Sequence, residues 1–472
     1  MTPNNWSATE AAEAVRRGEV SSVALLQSCL DAIEAQDGAI NSVVATEAEA
    51  AMAEAEAADR AVAAGARLGP LHGVPMAHKD MYYRAGKVSG CGSAIRGGFV
   101  PERTATVMER LHAAGSITFA RLNMAEFAQN PTGHNRHHGD CHNPWGVGYI
   151  TGGSSSGSGA AVAARFAFAA LGSDTGGSIR LPASACGVTG LKPTQTRVSR
   201  AGAMPLSFSA DNVGPLARTA RDCAAIMSVI AGHDAADPTS SAEAVPDYAA
   251  RLSGDLAGTR VGVVTNAGLA GTDAGVVAAM GEAVRALKAR GARVVELALP
   301  YMEAVSAYGS IVSRCEAAAI HARWMRERAQ DYAVHLSARL YAGYAIPATY
   351  YIEALSMRGK LLRAFAGDVF SQVDLIALPT IPAALPTLAQ TDIDHGPPGT
   401  EASFMAVSAN TRPFNYLGLP ALSVPCGFDG AGLPVGLQLV GRPFAEARVL
   451  AAGDAFQRET DWHRRAPELL AA

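Results

Sequence analysis

Two serine clusters bracketed by glycine, Gly152-Gly153-Ser154-Ser155-Ser156-Gly157-Ser158 and Asp174-Thr175-Gly176-Gly177-Ser178, are separated by a mostly apolar run. Glycine lets a backbone turn sharply and present several N–H groups to one atom, so each cluster is suited to holding a ligand. The run between them reads as a short buried helix, Ser155 to Arg165, and an apolar strand, Phe166 to Leu171. Such a helix advances about 16 Å and such a strand about 20 Å, so going out along one and back along the other brings Ser178 close to Ser154. The geometry permits two serines in one pocket.

Two hydroxyls in one pocket need a base. The chain has five lysines, Lys79, Lys87, Lys192, Lys288 and Lys360, against thirty-four arginines. Lys79 follows the strand-like run Leu71-His72-Gly73-Val74-Pro75-Met76-Ala77-His78. Burial there disfavours the charged form and makes the amine a proton acceptor near neutral pH, which arginine cannot become.

The order Lys79, then GGSSSGS, then GSDTGGSIR, with twenty-four positions from Ser154 to Ser178, resembles the amidase signature family of Ser-cisSer-Lys amide hydrolases. The resemblance extends to Gly187-Val188-Thr189-Gly190-Leu191-Lys192-Pro193-Thr194, to Asp211-Asn212-Val213-Gly214-Pro215, and to the tail from Gly418-Leu419-Pro420-Ala421 to Gly441-Arg442-Pro443. It implies Ser178 as nucleophile, Ser154 on a cis peptide as proton relay, and neutral Lys79 as the base that later returns the proton to the leaving amine. It places an oxyanion hole on the N–H groups of Thr175, Gly176, Gly177 and Ser178, with Ser155, Asp174 and Arg180 bracing the loops. No cofactor or metal is implied.

The implied fold is α/β, a large central mixed, largely parallel β-sheet with helices on both faces. The chain is read as one domain. Residues 1–65 form a helical N-terminal layer opened by the capping-box spacing of Ser7 and Glu10, and residues 66–230 form the signature core. Residues 231–370 form a variable, mainly helical region that shapes the substrate pocket, and 371–472 complete the sheet. Within these, helices are expected at Arg103 to Ala114, Met124 to Ala128 and Val276 to Arg290, and strands at Ser116 to Ala120 and Arg260 to Val264.

Charge and composition narrow the function. A net charge of −4 offers no basic stripe for nucleic acid, and no run of eighteen apolar residues suggests a membrane span. Seven scattered cysteines without C-x-x-C spacing suit a reducing cytoplasm, and no secretory signal is visible at the N-terminus. A cytoplasmic homodimer acting on a small-molecule amide is expected by resemblance.

Other readings of the same residues are weaker. As a phosphate loop, the first cluster has Ser158 where the lysine belongs. As a nucleophile elbow, Gly153-Ser154-Ser155-Ser156-Gly157 would make Ser155 the nucleophile, but Trp145 to Thr151 before it is a poor strand and Lys79 is left unexplained. No serine stands three positions before a lysine. His134, His137, His138, Cys141 and His142 invite a zinc reading, yet Pro131, Gly133, Gly139 and Pro144 disfavour the helix that would align them.

The glutamine-hydrolysing branch of the family, which serves tRNA-dependent amidotransferases, usually reads SIRQP and GRVSRYG, where this chain has Leu181 and Ala201 in place of Gln and Tyr. Ser408 stands where that branch commonly places an aspartate for the glutamine amino group. A stand-alone hydrolase of a small amide is therefore the leading expectation. The alternatives are glutamine hydrolysis for a tRNA-dependent amidotransferase and a non-catalytic scaffold that kept the fold.

Overall fold

The computed structural model describes residues 3–266 and 273–468. Its centre is an eleven-stranded sheet. From one edge to the other the strands are Val43–Thr46, Ile117–Leu122, Pro75–Lys79, Ala169–Asp174, Asn212–Ala217, Thr189–Lys192, Ala421–Phe428, Pro434–Val440, Leu375–Pro379, Arg260–Val264 and Arg293–Leu297. Most of the middle strands are buried at every position, as in Ala169–Asp174 and Pro434–Val440. Successive side chains point to opposite faces, so both faces are covered.

The mixed α/β sheet agrees with expectation, but its parallel character does not. Four of its ten neighbouring pairs are parallel and six antiparallel. Parallel pairing is confined to strands joined through a helix, such as Arg260–Val264 and Arg293–Leu297 across Ala274–Ala289, or to strands further apart in the chain. The antiparallel pairs include strands distant in the chain, such as Ala421–Phe428 with Thr189–Lys192, as well as neighbours whose connection is too short to cross over. Ala421–Phe428 and Pro434–Val440, for example, are linked only through 429–433, where Asp429 Oδ1 accepts the N–H groups of Ala431 and Leu433, both at 2.9 Å.

The N-terminal layer contains the helices Ala8–Arg16, Ser22–Ile40 and Ala48–Ala63. Ser7 closes a capping box, its Oγ accepting the Glu10 N–H at 3.2 Å while its own N–H donates to Glu10 Oε2 at 2.8 Å. The layer is not purely helical, since Val43–Thr46 joins the sheet at its edge. Farther on, Met302–Glu327, Val334–Tyr344 and Ala348–Phe370 are helices, but residues 231–370 also carry the sheet strands Arg260–Val264 and Arg293–Leu297.

Two local expectations need correction. The strand after the first serine cluster runs Ala169–Asp174, three residues beyond the expected start, because Arg165 takes a left-handed turn at φ 64° that ends the helix and leaves residues 166–168 as a buried connection. Trp145 to Thr151, read as a poor strand, contains the strand Gly146–Ile150. It pairs with His142–Asn143 in a separate two-stranded sheet and so does not feed Ser155 from the central one.

Candidate active site

Lys79 ends the strand Pro75–Lys79 and is 0% exposed. Its Nζ donates to Ser154 Oγ at 2.7 Å and to Ser173 Oγ at 2.8 Å. Burial pushes its pKa down to about 7, partly opposed by the negative charges of Asp211 and Asp174. A neutral amine has two N–H groups and one lone pair. It can keep an N–H on Ser173 while turning the lone pair toward the Ser154 O–H.

Ser154 follows a cis peptide bond from Gly153. The short helix Ser156–Ala163 begins just after it and is buried throughout. Gly157 is required there, since a Cβ would lie 2.4 Å from the Ser42 carbonyl oxygen and 2.7 Å from the Asn123 backbone nitrogen. The helix and the returning strand bring the clusters together as the length estimate anticipates, with the Ser155 N–H donating to the Ser178 carbonyl at 3.4 Å. Ser155 Oγ accepts the Ser173 N–H and donates to the Ser173 carbonyl, both at 3.3 Å. That hydroxyl is spent on joining the two segments, which removes the elbow reading.

Ser178 is 8% exposed and lines a cleft. Among the described residues its hydroxyl and that of Ser154 are not directly hydrogen-bonded. Catalytic contacts are commonly long before substrate binds.

Asp174 and Arg180 organise the second cluster. Asp174 Oδ1 accepts the Gly177 N–H at 2.8 Å and Asn415 Nδ2 at 2.8 Å, while Arg180 Nε and Nη2 donate to its two oxygens at 3.0 Å each. Burial alone would raise this carboxyl, but the Arg180 guanidinium beside it holds it well below the usual carboxylate range. Arg180 is satisfied in turn by the Thr411 carbonyl at 3.1 Å, Gln438 Oε1 at 2.6 Å and Asn415 Oδ1 at 2.6 Å. Thr175 Oγ1 donates to Asp211 Oδ1 at 2.5 Å.

Gly177 departs from expectation. Its N–H is committed to Asp174, so it is not a free oxyanion donor in this arrangement. The N–H groups of Thr175, Gly176 and Ser178 have no protein acceptor among the described residues. Gly177 is needed instead for its shape, having φ 134° and a position at which a Cβ would meet Thr411 Oγ1 at 2.3 Å.

Several contributors escape sequence reasoning. Ser173 is the second anchor of Lys79, and its position beside Asp174 on the strand next to Pro75–Lys79 is the signal that identifies it. Thr411, Asn415 and Gln438 give no local signal, although a buried arginine requires partners of their kind. The histidine cluster is dispersed onto carboxylates, His134 Nδ1 with Asp140 at 2.9 Å and His137 Nε2 with Glu126 at 2.9 Å. Among the described residues no three His, Cys, Asp or Glu side chains are placed to hold a metal ion, and no helix is long and apolar enough to cross a membrane.

Comparison with known proteins shows the family. The family profile described as Amidase matches residues 24–450. The chain is 41% identical to the A subunit of the glutamyl-tRNA(Gln) amidotransferase of Chloroflexus aggregans, over 100% of both chains. Among solved structures, one from work on a vestigial protein complex and the origins of an s-triazine catabolic enzyme has a TM-score of 0.89 at 34% identity, covering 96% of this chain and 98% of that one. The peptide amidase of Stenotrophomonas maltophilia has a TM-score of 0.83 at 30% identity, covering 96% of each.

Proposed function

The chain belongs to the amidase family, and from that premise we propose that it hydrolyses the C–N bond of a small amide through an acyl-enzyme on Ser178. The observation that carries the reading is the buried Lys79 nitrogen 2.7 Å from Ser154 Oγ. As Ser178 Oγ attacks the carbonyl carbon, its proton passes to Ser154 and the Ser154 proton to Lys79. The oxygen that gains negative charge is received by the N–H groups of Thr175, Gly176 and Ser178, each such donor being worth about 3 kcal/mol in the transition state.

Collapse of the tetrahedral intermediate breaks the C–N bond. The proton on Lys79 returns through Ser154 to the leaving nitrogen, which departs as ammonia or an amine. Water then attacks the acyl carbon, giving up a proton along the same relay, and the acid is released with Ser178 restored.

Two substrate readings share this chemistry. Glutamine hydrolysis within an amidotransferase is supported by the 41% full-length identity to a protein named as part of one, the stronger similarity of the two. A stand-alone hydrolase is supported by Ser408 in the cleft and by structural neighbours named as amidases. A fluorophosphonate probe tests the common step. Labelling is expected on the wild type and absent in Ser178→Ala, and labelling that survives this substitution would overturn the assignment. Release of ammonia from glutamine by the chain alone, compared with release in the presence of the other amidotransferase components, separates the two readings.

A further inference from the structure

The cleft beside Ser178 is lined by Arg314, Arg339, Arg358 and Arg412, and by no aspartate or glutamate. Arg358 is accounted for. It donates to the Tyr416 and Ser209 carbonyls at 2.6 Å each, and to Gln195.

The other three are not. They converge from different helices, Met302–Glu327, Val334–Tyr344 and Arg412–Tyr416. None is paired with a carboxylate among the described residues. Arg412 makes only contacts of 3.5 Å to the Met405 carbonyl oxygen and Sδ, and the buried Nε of Arg339 has no partner. Burial and the neighbouring guanidiniums push Arg339 down to about 9, while burial and Arg314 push Arg412 down to about 10.

Like charges held together in a partly enclosed cleft repel one another, and such an arrangement is favoured only when an anion occupies it. Guanidinium groups match a carboxylate in a two-pronged geometry that a lone ammonium cannot offer. Neutral polar groups complete the wall. Gln129, 3% exposed, has neither its carboxamide oxygen nor its nitrogen partnered, and Ser408 Oγ, on a residue 2% exposed, is likewise free.

We infer that the substrate is a small amide bearing a free carboxylate and no ammonium group, as a dicarboxylic acid monoamide does, with the carboxylate held by Arg314, Arg339 and Arg412. An ammonium group would enter a cleft with three unpaired cations and no acidic side chain to receive it. The reacting end of this substrate rests on the Ser178 reading, whereas the anion pocket is testable without turnover.

Calorimetry on the full chain carrying Ser178→Ala, titrated with succinate, glutarate, neutral succinamide and glutamine, is the test. The dicarboxylates are expected to bind about tenfold or more tightly than succinamide or glutamine, with that advantage lost in Arg412→Gln and in Arg339→Gln. Each variant should melt no lower than its parent without ligand, because a repulsion has been removed, and should lose the rise in melting temperature that succinate gives the parent. Equal binding of succinate and succinamide, equal binding of glutamine and glutarate, or dicarboxylate binding untouched in both variants would overturn the inference. Failure of the Ser178 reading has a different signature, an anion pocket intact in calorimetry and no Ser178-dependent labelling.

Discussion

Lys79 can take a proton only while its nitrogen is uncharged, and burial supplies that condition by pushing it down to about 7. With a neutral amide as substrate, kcat/KM should therefore fall about tenfold per pH unit below 7 and level off above it. Lys79→Met should remove that limb and reduce turnover by about a thousandfold or more, and an unchanged acid limb in this variant would reject Lys79 as the base. The shift also bears on stability. The unfolded chain binds a proton at this site up to its ordinary value of 10.5 while the folded chain releases it near 7, so stability rises with pH across that window. Lys192, also pushed down to about 7 by burial, adds a slope of the same sign, so Lys79→Met should flatten the rise between pH 7 and 9 in urea titrations without abolishing it. Ser173 is argued to act through Lys79 as a positioning residue. Ser173→Ala, which removes the hydroxyl 2.8 Å from Nζ, should lower kcat by about tenfold or more and move the acid limb, while Ser173→Thr, which keeps a hydroxyl, should restore both. Lys79 is legible in the sequence because lysine is rare in this chain, and Ser154 and Ser178 because they stand in glycine-bracketed clusters at a fixed spacing. Ser173 is a common residue whose role appears only when two strands are side by side.

The segment from Asp174 to Arg180 holds its shape through one buried ion pair rather than through regular structure. Asp174 gathers N–H groups from Gly177 and Ile179 together with the Arg180 guanidinium, so it fixes both the turn and the start of the helix Arg180–Ala185. Asp174→Asn would leave Arg180 buried without its counter-charge, and a loss of about 3 to 5 kcal/mol in denaturant unfolding is expected, with Ser178 labelling lost before global unfolding. Gly177→Ala tests the turn more gently. Its Cβ would displace Thr411, whose Oγ1 donates to the Gly176 carbonyl at 2.7 Å, and alanine is strained at φ 134°, so kcat should fall about a hundredfold and the melting temperature should fall with it. At this scale the sequence is a good guide to which elements exist and a poorer one to their edges. Arg260–Val264 falls at its expected bounds. Ala169–Asp174 does not, because Phe166 to Phe168 are as apolar as a strand and only the left-handed turn at Arg165 distinguishes them. Gly177 illustrates a further gap, since a glycine kept for space and one kept for a free N–H look identical in sequence.

Across the molecule, the site depends on segments more than two hundred residues apart. Strand Ala421–Phe428 pairs with Thr189–Lys192 and so joins the last part of the chain to the sheet that carries Lys79 and Ser173. The same late part delivers Thr411, Asn415 and Gln438 to Arg180. Strand order of this kind is not written in any local pattern, and the expectation of a largely parallel sheet failed because alternating helix and strand signals do not reveal which neighbours a strand will find. The arginines of the cleft were missed for a related reason, each lying on a different helix with nothing nearby in sequence to mark it. If the late strands and the catalytic loop form one cooperative unit, weakening one should loosen the other. Gln438→Ala removes an acceptor 2.6 Å from Arg180 Nη1 on a strand that does not line the cleft, at a cost of about 2 kcal/mol. Hydrogen exchange should then quicken together in Ala169–Asp174 and Pro434–Val440, and labelling of Ser178 should slow even though Lys79 and Ser154 are untouched. Faster exchange confined to Pro434–Val440, with Ser178 reacting at the wild-type rate, would mean that the two halves of the sheet open independently and that Arg180 does not transmit the order of one to the other.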